Sequence, residues 1–144
     1  MPAAYPSDPA LVRRAEERAR ELLRSTAGDE ALEMYERLGF LSIEHDGGEY
    51  GYLIYPQRPI VGYDARSGEL LSEYCVRFRE GPDPETAERL PDADDVLAKW
   101  MALNGAEREL IAESNHDPAG HQVDPAHVRR DIARIEALAP ATSP

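Results

Sequence analysis

Three of the four histidines, His116, His121 and His127, fall within twelve positions, and Asp117 and Asp124 lie between them. Imidazole with carboxylate is a donor set that zinc accepts, so this stretch is the first candidate metal centre. Its spacing is loose, because zinc sites draw their ligands from short tight pairs or from one helix face. His116 and His121 sit in the loop sequence NHDPAGHQV, where nothing fixes a common geometry. A metal role therefore needs convergence of all three side chains. The plainer reading is of surface histidines near helix ends, and no cofactor is expected.

The one cysteine, Cys75, falls in mid-strand rather than on a loop or a helix N-terminus that would depress its thiol pKa. It reads as packed sulfur rather than as a nucleophile. The aromatic candidates are denser: Tyr50, Tyr52, Tyr55, Tyr63 and Tyr74 share one stretch of strand texture. Alternation sends Tyr50 and Tyr52 to one face and Tyr55 to the other. An exposed aromatic face would suit a protein partner, since tyrosine gives a large contact area at low entropic cost. Ordinary strand propensity explains the same residues. The candidate binding set is Tyr50, Tyr52, Tyr55, Arg58, Tyr63 and Arg77. An enzymatic or ligand site between the sheet and the C-terminal helices would draw instead on Tyr63, Arg58, Arg77, Glu73 and His45. Asp92, Asp94 and Asp95 lack the alternating pattern and central glycine of a calcium loop, and read as the capping turn of a helix. No GxGxxG, GKT, GKS, HExxH or GxSxG occurs in the chain, which disfavours the nucleotide-dependent and hydrolase families with those signatures.

These residues must be held by a recognisable order of elements. Over 8–26 the apolar positions Leu11, Val12, Ala15, Ala19, Leu22 and Leu23 make one stripe, with Asp8 as cap and Pro9 in the first turn. A second helix is predicted over 29–38, stopped by Gly39. The period then drops to two. Strands are predicted over 40–45, 49–55, 60–64 and 69–79, with turns at Asp46-Gly47-Gly48 and Arg66-Ser67-Gly68. In the last strand Leu70, Tyr74, Val76 and Phe78 are expected on one face and Glu73, Cys75 and Arg77 on the other. A polar loop over 80–91 ends the sheet, a helix follows to a break at Asn104-Gly105, and a short helix covers 106–114. Asp124-Pro125 opens a last helix with Val128, Ile132, Ile135 and Leu138 on its apolar stripe. The fold class is therefore α+β: two N-terminal helices, a four-stranded antiparallel β-meander, and three C-terminal helices on one face of the sheet. The expected organisation is one domain over 9–138, between disordered tails at 1–8 and 139–144.

Charge narrows the function classes. The 144 residues carry 16 basic and 28 acidic side chains, a formal charge of −12, and Lys99 is the only lysine. Nucleic acid is not an expected partner, because the one dense basic run, Arg13 to Arg24, is interleaved with Glu16, Glu17 and Glu21. No stretch reaches the roughly 20 apolar residues of a membrane span. The N-terminal sequence MPAAYPSDPA lacks the basic leader and apolar run of a secretory signal, and the single cysteine suits a reducing compartment, so a cytoplasmic protein is expected. Plentiful Ala, Arg, Gly and Pro point to GC-rich codons and a bacterial source. The first functional expectation is an acidic, non-catalytic protein-binding or regulatory module (an accessory, inhibitor or immunity-type protein) whose partner has a basic surface. The enzyme or ligand-binding domain and the histidine metal protein are the alternatives. The open edges of a meander also leave a homodimer in view.

Overall fold

The computed structural model describes residues 8–45, 48–75, 79–80, 88–113 and 123–138. Helices α1 (Pro9–Ala27) and α2 (Asp29–Leu38) lead into strands β1 (Leu41–Glu44), β2 (Tyr50–Ile54), β3 (Ile60–Asp64) and β4 (Leu70–Tyr74). A two-residue ladder, β5 (Arg79–Glu80) with β6 (Glu88–Arg89), precedes α3 (Asp92–Glu113) and α4 (Pro125–Leu138). The main sheet is antiparallel in the order β1-β2-β3-β4, so the class is α+β as the sequence implies. Among the described residues no helix is long and apolar enough to cross a membrane. Of the two expected tails only Asp8 is among the described residues, and it is a cap: its side chain accepts from the Ala10 amide at 2.9 Å.

The buried stripe of α1 is narrower than its apolar pattern. Ala19 and Leu23 are inside, while Leu11 and Leu22 are each half exposed. What locks α1 in place is polar. Glu16 Oε1 accepts from the Ala93 amide at 3.0 Å, in the first turn of α3, and its Oε2 accepts from Tyr35 Oη on α2 at 3.0 Å and from Arg20 Nε at 2.9 Å. One carboxylate thus joins three helices and satisfies an otherwise orphan helix-start donor. Burial, then the Glu16 charge, raises the Tyr35 pKa, so the hydroxyl stays a donor.

The helices cover both faces of the sheet rather than one. Leu41, Tyr52, Ile54 and Ile60 face a cluster built with α1, α2 and α3, including Leu23, Tyr35, Val96 and Leu97. Leu53, Tyr55, Val61 and Tyr63 face a second cluster with Phe40, Val123 and Val128, where α4 packs. The expectation of a single covered face failed for a physical reason. Leu53 and Val61 interrupt a strict polar alternation, and a strand apolar on both sides is the pattern of a sheet buried between two layers.

Two further differences have local causes. The register slips between Gly62 and Tyr63, so Tyr63 pairs with Leu70 while Gly62 pairs with Ser72. This bulge places Leu70 against the α4-side cluster and Tyr74 against the other, not together as strict alternation demands. The two helices expected on either side of Asn104-Gly105 are present within α3, separated by a kink at Ala106, where φ −151° and ψ 52° leave helical geometry one residue beyond the expected break. The fourth strand stops at Tyr74, its expected continuation over 76–78 lies outside the described residues, and part of the predicted 80–91 loop forms the β5–β6 ladder.

Gly51 is fixed by what crosses it. A Cβ there would lie 2.6 Å from Tyr63 Oη, 2.7 Å from Tyr63 Cζ and 2.9 Å from the Ile43 carbonyl oxygen. The tyrosine ring lies over the glycine of the neighbouring strand, and the carbonyl cannot give way without moving β1. Gly51→Ala is expected to destabilise the protein by about 2 kcal/mol, as an overpacked interior does. Urea unfolding of the variant against wild type checks this, and an unchanged midpoint would mean that the ring does not rest there.

Candidate functional site

The ionisable groups drawn together inside the protein centre on Lys99, Asp131 and Glu107, with Tyr50, Tyr52 and Tyr55 of the candidate set among their partners. Lys99, only 1% exposed, is held on α3 one turn after Asp95. Its Nζ donates to Asp95 Oδ2 at 2.6 Å, to the Arg58 carbonyl at 2.8 Å and to the Tyr55 carbonyl at 3.1 Å. Asp95 Oδ2 also accepts from the Gln57 amide at 2.8 Å, and Gln57 Nε2 donates to the Leu90 carbonyl at 2.8 Å. The cluster therefore clamps the β2–β3 turn, where Gln57 adopts a positive φ of 60°. A non-glycine residue there costs roughly 1 to 2 kcal/mol, and the turn also contains two prolines that donate no amide bond. Burial lowers the Lys99 pKa, and the opposing pull of Asp95 does not fully offset it. A depressed amine can be a nucleophile, but this one has all three protons engaged and no access.

A second cluster lies on the opposite face. Asp131 on α4 accepts from Tyr55 Oη at 2.7 Å, from Arg134 Nη1 at 3.1 Å and from Arg130 Nη2 at 3.2 Å. Arg134 Nη2 reaches the Leu38 carbonyl at the end of α2 at 3.3 Å. Burial disfavours the Asp131 carboxylate, yet hydrogen bonds from Tyr55, Arg134 and Arg130 outweigh it and hold the carboxyl below its ordinary range. Burial and the same Asp131 bond push the Tyr55 pKa up, so tyrosine and aspartate remain donor and acceptor.

A third group sits where α3 passes the sheet. Glu107 Oε1 accepts from Tyr52 Oη at 2.7 Å and from Tyr50 Oη at 3.0 Å. Burial, then the Glu107 hydrogen bond, raises both phenol pKa values. His45 stacks on Tyr50 at 4.3 Å between centroids, and Tyr50 and Tyr52 meet edge to face at 5.7 Å.

The sequence-derived candidates are thereby dispersed. Tyr50 and Tyr52 do share a face and Tyr55 takes the other, but Tyr52, Tyr55 and Tyr63 are buried, so these three are interior packing and not an aromatic surface. Arg58 is exposed and contributes its carbonyl to Lys99. Glu73 lies on the α4 side, where its Oε1 accepts from the Val123 amide at 2.7 Å, whereas His45 lies beside Tyr50. Tyr63, Glu73 and His45 therefore do not converge on one cavity. Arg77, His116 and His121 lie outside the described residues. His127, on α4, has Nε2 2.6 Å from Arg130 Nη2 and 3.8 Å from Asp131 Oδ2. Among the described residues no group of three His, Cys, Asp or Glu side chains is placed to hold a metal ion. Compared with known proteins, the chain matches no protein-family model, no curated protein and no solved structure.

Breaking either buried cluster from one side leaves an unpaired charge. Lys99→Met is expected to cost about 3 kcal/mol, and the double variant Asp95→Asn/Lys99→Met less than that, because the second change removes the stranded carboxylate. Urea unfolding of the single and double variants measures the difference; a double variant no better than Lys99→Met would remove the pairing argument. For Asp131 the folded carboxyl titrates below its unfolded value of about 3.9, so its stabilisation is present above that pH and is lost as pH falls through the folded value. Asp131→Asn should therefore lie about 1 to 2 kcal/mol below wild type at pH 7, with the gap closing below about pH 4. A gap that is constant from pH 7 to pH 3 would contradict the assigned hydrogen bonds.

Proposed function

We propose that this chain is an acidic, non-catalytic binding or regulatory module that engages a partner protein through a basic surface on that partner. The observation that supports the reading is the outer face of α2, where Asp29, Glu30, Glu33 and Glu36 are all exposed. Their arginine neighbours are themselves half exposed: Arg24 meets Asp29 at 3.4 Å, Arg20 meets Glu36 at 3.3 Å and Arg37 meets Glu33 at 3.1 Å. Exposed pairs of this kind contribute roughly 0 to 1 kcal/mol each, so an incoming cationic surface can replace them at little cost. The overall charge of −12 steers such a partner from a distance and repels polyanions.

The reading has a direct test. Affinity capture of the tagged protein from its native host, at low and at high salt, should return a stoichiometric partner that is lost at high salt. Glu30→Lys/Glu33→Lys should weaken that capture at least tenfold, with only a small drop in thermal midpoint from the first-turn charge and the lost Arg37 pair. Recovery of the protein alone at both salt levels, or a partner indifferent to the charge reversal, would overturn the proposal.

A further inference from the structure

Helix α1 packs against α2 and α3 and still leaves part of its apolar surface open. Its buried side centres on Ala19 and Leu23, and Leu11 and Leu22 lie to one flank of that side, each half exposed. With half-buried Ala15 and exposed Arg18 they form a row at 11, 15, 18 and 22. Alternating steps of four and three keep one narrow helix face in line, as in a coiled-coil seam. Arg14 and Glu21 border the row on its solvent side, and both are exposed. Arg14 and Arg18 enter no ion pair among the described residues. Glu21 pairs with Arg24 of its own helix, where both side chains are solvated, so it remains open to a further cation.

The row is symmetric about its midpoint. Read from the far end, Leu22, Arg18, Ala15 and Leu11 match Leu11, Ala15, Arg18 and Leu22. Two antiparallel copies of α1 therefore set leucine against leucine twice and arginine against alanine twice, a large side chain over a small one each time. The same pairing brings Arg14 of each copy to Glu21 of the other.

We propose that this chain forms a two-fold symmetric dimer through antiparallel α1 helices, with Leu11 on Leu22 of the second copy, Arg18 over its Ala15 and Arg14 paired with its Glu21. Charge complementarity selects a second copy as the occupant, because the carboxylate that Arg14 lacks stands on the same helix at the position symmetry requires. Arg18 covers the facing alanine with its stem while its guanidinium reaches water. Two such charges near the symmetry axis fix the register and weaken the pair, as a lone polar residue in a helical seam does. The seam is one helix wide, smaller than a permanent interface, so the dimer is reversible. Arg20 and Arg24, which meet Glu36 and Asp29 of α2, project from the opposite side of α1. The acidic outer face of α2 is left open by the dimer, which stands or falls apart from the reading of that face.

Sedimentation equilibrium of the full chain tests the dimer at physiological salt, where charges more than about 8 Å apart are largely screened. Wild type should pass from monomer to dimer between roughly 10 µM and 1 mM, the range of a small interface. Leu22→Asp should stay monomeric throughout with unchanged circular dichroism. Arg14→Glu and Glu21→Arg, each alone, should weaken association roughly tenfold or more, because each sets like charges together twice. An equimolar mixture of those two variants should restore it, since each copy then supplies the charge the other lacks. Arg18→Leu should tighten the dimer by removing the charges near the axis. A wild type that is monomeric at the top of the range, single variants that dimerise as wild type does, or a mixture no better than its components would each overturn the proposal.

Discussion

Tyr55 is where the two halves of the protein are fastened to each other. It follows β2, its carbonyl oxygen accepts from Lys99 on α3, and its hydroxyl donates to Asp131 on α4. The two partners belong to helices on opposite faces of the sheet, so the residue transmits the position of one layer to the other across a single Cα. The ring packs against Phe40 at 5.2 Å between centroids, which fills the space between the end of α2 and the sheet. Apolar burial provides most of the driving force, but it is non-directional and tolerates sliding. The hydrogen bonds that Tyr55 makes to Lys99 and Asp131 are directional, and they tie α3 and α4 to one position on the strands.

Such a device has an energetic cost that an apolar core does not. Removing a charged pair from water costs several kcal/mol per ion, and a well-packed apolar replacement is often as stable. In this protein each buried ion does more than pair. Lys99 satisfies two backbone carbonyls of a turn interrupted by Pro56 and Pro59, and Asp95 satisfies the amide of Gln57 in its left-handed conformation. Glu16 works in the same manner among α1, α2 and α3, where it meets a helix-start amide and a tyrosine. Backbone groups without partners would cost about 1 to 3 kcal/mol each, so the buried charges are compensated by the main chain they serve.

The elements of this fold were largely legible in the sequence, because caps, glycine stops and period changes are local signals. Asp8, Pro9, Gly39 and Asp124-Pro125 mark helix ends by the orphan groups they satisfy or the conformations they permit. What was not legible was tertiary: which helices cover which face of the sheet, and the bulge beside Tyr63, depend on what packs across space. The interior clusters did leave a trace. Val96, Lys99 and Leu103 fall at i, i+3 and i+7, as do Val128, Asp131 and Ile135, so a charged residue stood on each apolar stripe and could be expected to find a buried partner. Which partner it finds is not written locally: Asp131 meets Tyr55 across 76 positions of chain. The tyrosines misled for the same reason, since alternation assigns them to faces but not to solvent.

The distribution of charge follows from these internal commitments. The chain has a single lysine and it is buried, so every cation that the sequence leaves for the surface is an arginine. Arg20 and Arg24 lie along the seam between α1 and α2, where they bridge Glu16 to Glu36 and Glu21 to Asp29. Without them the acidic faces of the two helices would repel one another at close range. With them the repulsion is relieved locally while the overall field stays negative, because 28 acidic side chains outnumber 16 basic ones. Helix α2 is therefore packed against α1 while Glu30 and Glu33 stay exposed on its outer side. The carboxylates of the helix pair divide by position: Glu16 is turned inward to the three-helix junction, Asp29 and Glu36 meet the arginines of α1 at the seam, and Glu30 and Glu33 are turned outward to solvent.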